Sequence, residues 1–383
     1  MTKPNVAGAL ERVESHLHPI PSWNLDDHPQ PTGREEIWRF SPMRRIKALL
    51  DEQAEAATLE WESEVPEGVT ITELTAEEAR NLAAEAPVDR VAAIAAEQAV
   101  RRTLIEVAEN AQLTQRITIT CRGDGSQARE HVVVKVGANA QATIVLHFVG
   151  NGTFAEKSDF IIGDGANVNI VTVQDWSEGA VHGGQRSVLV GRDAHVKTMS
   201  ASLGGDVVRL QENMRFDGPG GEIESYGLYF VDGGQHVQHR LFVDHNEPRT
   251  KSNVDYRGAL QGEGANSVWI GDVLIRKAAE GIETYESNKN LLLTEGCQAD
   301  SVPNLEIETG EIEGAGHSST TGRFDDLQLF YLMSRGIPER EARRLIVHGF
   351  FYDIIRRFGV PDIEELMLAR VEQELEAVEG ATA

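Results

Sequence analysis

Short runs of alternating apolar and polar residues fill the middle of the chain. From Ile117 onward these runs are rich in Val, Ile and Thr and are separated by Gly, Asn and Asp turns, a pattern typical of β-strands. The turns resemble one another, and aligning Ala138, Ala166 and Ala194 predicts a repeat of about 28 residues, within the range of solenoid coils. A β-sandwich would also contain such strands, but its loops vary in length, whereas stacked coils must stay in register. The repeat therefore predicts a β-solenoid, in which each coil buries an apolar face against the next.

Helical patterns flank the predicted solenoid. Residues 88–113 carry apolar side chains at the spacing of an amphipathic helix. After Thr321 the pattern again becomes helical, with predicted helices over 325–336, 337–358 and roughly 363–379. The second of these carries a wide apolar band, which either packs against neighbouring helices or docks a partner protein.

These patterns predict a mainly β fold with flanking α-helices. We expect an N-terminal helical region over residues 1–115, a β-helix core over 116–321 and a C-terminal helical region over 322–383. The sequence does not place the coils between Gly221 and Ala265, where the repeat lengthens.

Charge and cysteine content narrow the classes of function. The chain has 61 acidic and 36 basic residues, a formal charge of −25, which disfavours nucleic acid and anionic membranes as partners. We find no apolar run long enough for a membrane span, and the polar start of the chain is unlike a signal peptide. Cys121 and Cys297 are far apart, which suits a reducing cytoplasm and cannot supply the four thiolates of an ordinary iron–sulfur site. We therefore expect a cytoplasmic protein.

Several motifs resemble parts of nucleotide-binding or catalytic sites but lack the other residues that such sites require. The turns at Gly163-Asp-Gly165 and Gly262-Glu-Gly264 begin like dinucleotide-binding loops, but they lack the third glycine, and the first leads into a strand. Neither cysteine has an obvious base nearby in sequence, and no nucleophile elbow is present. These features favour structural turns and core positions over catalysis.

The sequence is compatible with two roles for the histidines, a structural one and a metal-binding one. His236 and His239 are three apart on a predicted strand and so point to opposite faces, whereas His239 and His245 share a face. They are either buried structural histidines or part of a metal site completed by another chain. His317 lies in the hydroxyl-rich segment GHSSTTG, where it is either an ordinary loop histidine or an outward-facing ligand.

Ordered motifs in the last third of the chain resemble the SufB/SufD family of the SUF system for iron–sulfur cluster assembly. They are NKNLLL from Asn288, ADSVPNLEIE from Ala299, GHSSTTG around His317, DLQLFYLMSRGI and EARRLI. The upstream VDHNEPRTKSN and the N-terminal REEIWRF fit as well, so the resemblance covers nearly the whole chain.

This resemblance implies a right-handed parallel β-helix that assembles with a SufB-like paralogue and two copies of a SufC-like ATPase. The chain is similar to the SufD branch, because the position aligned with the sulfur-accepting cysteine of SufB is Asn288. The resemblance implies a non-catalytic scaffold in which His317 helps to hold iron or a nascent cluster at the SufB interface, with nothing bound tightly by this chain alone. A homodimer of the isolated chain stays open.

The family resemblance also assigns the C-terminal helices to SufC docking. The residues implied are Asp325, Leu329, Phe330, Tyr331, Arg335, Leu345, Phe350 and Phe351. Two rival functions remain at this point. One is a carbohydrate-binding or polysaccharide-cleaving β-helix protein, and the other is a SufB-like homo-oligomeric scaffold that would carry persulfide on Cys297.

Overall fold

The strand runs stack as the coils of a parallel β-solenoid, and helices flank it. This confirms the predicted fold class. The computed structural model describes residues 20–324 and 326–381. The strands of that part of the chain are β1 (Glu60–Glu64), β2 (Val69–Glu73), β3 (Arg101–Val107), β4 (Ile117–Val136), β5 (Gln141–Ile162), β6 (Asn167–Trp176), β7 (Val181–Val190), β8 (His195–Ser202), β9 (Val207–Phe216), β10 (Glu222–Val231), β11 (His236–His245), β12 (Lys251–Leu260), β13 (Asn266–Ile275), β14 (Glu283–Leu292), β15 (Gln298–Ile307) and β16 (Gly314–Arg323). The helices are α1 (Ala76–Leu82), α2 (Arg90–Glu97), α3 (Asp326–Ser334), α4 (Glu339–Phe358) and α5 (Pro361–Ala381), and 3-10 turns occur at Leu25–Asp27, Glu36–Trp38 and Lys47–Leu50.

Each coil contributes one strand to each of two parallel faces. From β6 onward the even-numbered strands stack on one another, and the odd-numbered strands from β7 stack on the other side. We call these the even face and the odd face. The long strand β5 runs through both, pairing with β6 through its first half and with β7 through its second half.

The spacing of the coils follows the predicted repeat only in part. Asn167 pairs with His195, which is the predicted interval. The preceding interval is shorter, because Gln141 pairs with Asn167, so that Ala140 and not Ala138 is equivalent to Ala166. The alignment of Ala138 was therefore wrong. Later coils are longer, as the lengthening of the repeat after Gly221 indicated, since Lys251 pairs with Glu283.

The conformation of the turns explains the misalignment. Asn139 and Gly165 both occupy the left-handed region, with φ of 55° and 67°, and lie one above the other. A β-carbon on Gly165 would come within 2.7 Å of Asn139 Oδ1. The two turns therefore stack through these residues, although their letters match best when displaced by two positions.

The N-terminal segment is less helical than the sequence predicted. A helix spans only Arg90–Glu97, begun by the Asp89 side chain accepting from the Ala92 amide, and the predicted helix over 88–113 is wrong beyond it. Residues 101–107 instead form β3, which alternates buried and partly buried positions and pairs with β4. Because this stretch contains Thr, Ile and Val at alternate positions, burial against the first coil favours a strand.

Both outer faces of the solenoid are covered by flanking segments. The three helices predicted after Thr321 are present, and α4 buries Phe351, Ile354 and Phe358 with outward-facing apolar residues of the even face, such as Tyr226 and Leu228. Trp38, Leu49 and Val91 pack on the odd face. Most of the apolar band of α4 thus packs within the chain. Among the described residues, no helix is long and apolar enough to cross a bilayer.

Candidate functional site

The last coil leaves one end of the solenoid open. In the described part of the chain, β15 pairs only with β13, and β16 pairs only with β14. Their outer edges therefore carry backbone groups that no further strand covers, an arrangement that normally requires protection or a partner. His317, which the sequence placed in a loop, lies instead within strand β16 at this end.

His317 lies opposite Glu286 in the register of β14 and β16. Its Nδ1 is 3.8 Å from Glu286 Oε1, and its side chain is 41% exposed, whereas that of Glu286 is 2% exposed. Burial, reinforced by the charge of Asp272, raises the pKa of Glu286 to about 8. The end of the solenoid therefore presents an accessible imidazole beside a buried carboxyl group.

Asn288 points into the solenoid two residues beyond Glu286. Its amide donates to Tyr229 Oη (3.0 Å) and to the backbone carbonyl of Tyr256 (3.3 Å). Tyr229 Oη in turn donates to Asn290 Oδ1 (2.6 Å). A fully hydrogen-bonded amide thus occupies the position that the family resemblance assigns to a sulfur-accepting cysteine in SufB.

A buried ion-pair network occupies the interior of earlier coils. Arg186 binds both oxygens of Glu156 at 2.9 Å, and His182 Nε2 donates to Glu156 at 2.8 Å. Trp176 donates to His182 Nδ1, which leaves Nε2 as the protonated nitrogen. Despite burial, the charge of Arg186 and the hydrogen bond from neutral His182 hold the pKa of Glu156 well below its usual range. Each member is tightly partnered, so the network is structural.

The other candidate residues lie in structural surroundings. His239 and His245 are fully buried, and burial lowers the pKa of His239 to about 3 and of His245 to about 4. His245 lies between the hydroxyls of Thr250 and Ser252. Over residues 20–324 and 326–381, no three His, Cys, Asp or Glu side chains are grouped so that they could hold a metal ion.

The two cysteines occupy different settings. Cys121 is buried, and burial, with the charge of Glu130, raises the pKa of its thiol well above the usual range. Cys297 is half-buried, with Sγ 3.4 Å from Thr294 Oγ1 and 3.5 Å from the carbonyl of Gly262.

The C-terminal helices present an apolar surface as well as a packed one. Phe330, Tyr331, Arg335 and Leu345 are exposed, Phe350 is half-buried, and Leu329 and Phe351 are buried. Asp325 lies outside the described residues. Leu327, at 78% exposure, and Phe330, at 71%, extend from α3. We call the exposed set of Leu327, Phe330, Tyr331 and Leu345 the α3 surface.

Sequence reasoning missed Glu286 and Leu327. The signal for Leu327 was available, because apolar residues occupy six of the nine positions of α3, more than one buried face of a short helix can use. Glu286 gave no such signal, because its burial depends on coils that are distant in sequence.

Comparisons with known proteins agree with these features. Residues 117–350 match the SufBD core domain of the SUF system for iron–sulfur cluster assembly. An iron–sulfur cluster assembly SufBD family protein of Mycobacterium tuberculosis is 46% identical over 392 residues, covering 99% of this chain and 98% of its own. A SufBD family protein of Mycobacterium leprae is 44% identical over 368 residues, 94% of each chain.

More distant relatives carry the name SufD. The Escherichia coli iron–sulfur cluster assembly protein SufD is 26% identical over 251 residues, which cover 64% of this chain and 58% of that protein. The SufD protein of Bacillus subtilis is 25% identical over 253 residues, 64% and 57% of the two chains. With its core domain matched over more than half its length and near-full-length relatives at 46% identity, the chain belongs to the SufB/SufD family of iron–sulfur cluster assembly proteins.

Proposed function

We propose that this chain is a SufD-type scaffold subunit that acts in the cytoplasm. It joins a SufB-like paralogue through the open end of the solenoid and docks a SufC-like ATPase on the α3 surface. In this role it carries out no reaction of its own, and His317 helps to hold iron or a nascent cluster that passes through the assembly. The observation that carries the proposal is the position of His317 on the uncovered edge strand β16.

The chemistry at the open end supports a shared site. An imidazole is a suitable ligand for iron, and one exposed histidine leaves the other coordination positions to a partner. Asn288 supports the SufD assignment, because its amide is buried and used within the fold and cannot accept sulfur. The sulfur-accepting group then belongs to the SufB-like chain.

The α3 surface supports docking of a separate protein. Leu327, Phe330 and Tyr331 expose adjoining apolar side chains on one short helix, and such a patch is typical of an interaction site. The next helix is anchored to the solenoid, since Asp353 binds Arg257. A movement imposed at α3 would therefore be transmitted to the even face and towards the open end.

Co-expression with the host's SufB and SufC homologues tests the proposal. The tagged chain is recovered anaerobically, and subunit stoichiometry is measured by native mass spectrometry. We expect one copy of this chain, one SufB-like chain and two ATPase subunits. Recovery of the chain without either partner would refute the proposal, and a homo-oligomer carrying persulfide on Cys297 would favour a SufB-like scaffold instead.

Iron retention tests the role of His317 within that assembly. His317→Ala is compared with Thr320→Ala, an exposed residue of the same strand, after anaerobic loading with Fe²⁺ and desalting. We expect iron content to fall only with His317→Ala while subunit stoichiometry is unchanged. Equal iron in both variants would remove His317 from the site.

A further inference from the structure

Glu286 is a second potential ligand at the open end of the solenoid. It is directly opposite His317 in the pairing of β14 with β16, so both side chains point to the interior side of the last coil. Because β16 is the edge strand, this inward-facing pair lies in the last coil, at the open end. The two donors therefore face the position where a partner chain would complete a site.

The Glu286 carboxyl group lacks a hydrogen-bond partner on one oxygen. Its side chain is 2% exposed, and Oε1 receives no hydrogen bond within the described part of the chain. A buried carboxyl oxygen without a partner is costly and is uncommon in folded proteins. Asp272, the acid whose charge acts on Glu286, is different, because its oxygens accept from Asn304 Nδ2 (2.7 Å) and Arg240 (3.0 Å).

The absence of a side chain at Gly271 leaves room for the Glu286 carboxyl group. Across the interior, a β-carbon on Gly271 would come within 2.4 Å of Glu286 Oε2. Only glycine at that position allows the carboxyl group to lie where it does. Its other oxygen, Oε1, is the one directed towards His317.

The distance between the two donors suits a bridging cation better than a direct hydrogen bond. His317 Nδ1 and Glu286 Oε1 are 3.8 Å apart, which is too long for a hydrogen bond. Two donors that each lie about 2.1 Å from a tetrahedral ion are separated by about 3.4 Å, so a small side-chain rotation would suffice. Imidazole and carboxylate together suit divalent first-row ions such as Fe²⁺.

We propose that Glu286 is a metal ligand that forms, with His317, a two-donor half-site for a divalent cation at the open end of the solenoid. The inference rests on the proposed function, because a partner chain is needed to supply the remaining ligands. It goes further by assigning a carboxylate ligand to this chain itself.

The test uses the purified assembly with Co²⁺ as a spectroscopic probe. Co²⁺ is titrated anaerobically, its ligand-field absorption gives the affinity, and metal content after desalting gives the stoichiometry. The variants are Glu286→Gln, which keeps the size of the side chain, and His317→Ala. The matched control is Glu283→Gln, which replaces an exposed acid on the outer side of the same strand.

We expect Glu286→Gln and His317→Ala each to weaken Co²⁺ binding at this site at least tenfold, with a changed absorption band, while Glu283→Gln leaves both unchanged. Thermal unfolding of each variant confirms that it is folded. An assembly that forms normally and binds Co²⁺ equally with Glu286→Gln would overturn this inference and leave the proposed function intact. Failure of the wild-type chain to assemble would instead refute the proposed function.

Discussion

The ring of Tyr229 lies against Gly258 on the next coil, where a β-carbon would come within 1.8 Å of Tyr229 Cε2. The relationship is reciprocal, since a β-carbon on Gly227 would come within 2.0 Å of Tyr256 Cε1. The strands pair Gly227 with Tyr256 and Tyr229 with Gly258, so each tyrosine is seated over a glycine of the neighbouring strand. This interlock fixes Tyr229, which in turn holds Asn288 near the open end.

Gly258→Ala is therefore expected to destabilise the fold. The added methyl group must displace a fully buried ring, and overpacking of a core commonly costs about 1–3 kcal/mol. Urea unfolding followed by circular dichroism measures the change. Gly349→Ala is the matched control, because Gly349 lies inside α4 with no atom near the added β-carbon, and it should stabilise the chain by up to about 1 kcal/mol. Equal stability of the two variants would contradict the interlock.

The pair of Glu156 and Arg186 predicts a non-additive double substitution. Arg186→Met leaves the Glu156 carboxylate buried with only the neutral donors His182 and Ser158, and breaking a buried ion pair in this way costs about 3–5 kcal/mol. Replacing both as Glu156→Gln with Arg186→Met removes the stranded charge, so its loss of stability should be smaller than the sum of the single losses. Chemical denaturation of the four proteins of this cycle measures the coupling, and additive losses would show that the two side chains act independently.

The repeat was predictable because local signals and packing agree in the solenoid. The strands place apolar residues inward, most turns contain a Gly, Asn or Asp with a positive φ, and stacking of the coils uses both features. The length of the first interval could not be predicted in the same way. Gly137-Ala-Asn and Gly165-Ala-Asn have identical sequences, but the structure stacks Asn139 on Gly165. Alignment of identical residues does not indicate which residue of a turn has a positive φ.

The failed helix prediction and the missed carboxylate have a common cause. The apolar positions of residues 101–107 are compatible with both the helical and the strand period. Pairing with β4 makes this segment a strand. Glu286 reads as a surface acid in sequence, and its burial follows from Gly271 across the interior and from the coil that carries His317. His317 was found from its hydroxyl-rich segment and from the family resemblance, whereas the position of Glu286 beside it could be seen only in the stacked coils.

Substitutions on the α3 surface should separate docking from folding. Phe330→Glu places a charge on an exposed apolar side chain, so we expect loss of ATPase association with no change in thermal unfolding. Val65→Glu, another exposed apolar position far along the chain, should leave association intact. Co-purification with native mass spectrometry measures both. Retention of the ATPase by the Phe330→Glu variant would show that the docking site is not on α3.

Buried histidines on β11 predict a loss of stability in mild acid. Burial lowers the pKa of His236 and His245 to about 4 and of His239 to about 3, whereas each titrates near 6.5 when the chain is unfolded. Their contribution to stability is complete above about pH 6.5. It is lost as pH falls towards the folded values, because the unfolded chain then binds more protons, at a slope of up to about 1.4 kcal/mol per pH unit for each histidine.

Urea unfolding between pH 7.5 and about pH 5 measures that slope for the wild type and for His245→Gln. The variant cannot titrate at this position, so its free energy of unfolding should fall less steeply with decreasing pH, by up to about 1.4 kcal/mol per unit. His348→Gln, on α4, controls for loss of a histidine as such. Because carboxyl groups also titrate in this range, only the difference in slope between variant and wild type is diagnostic. Parallel slopes for wild type and His245→Gln would show that His245 takes up protons equally in the folded and unfolded chains, contrary to the hydroxyl-lined, water-excluded position between Thr250 and Ser252.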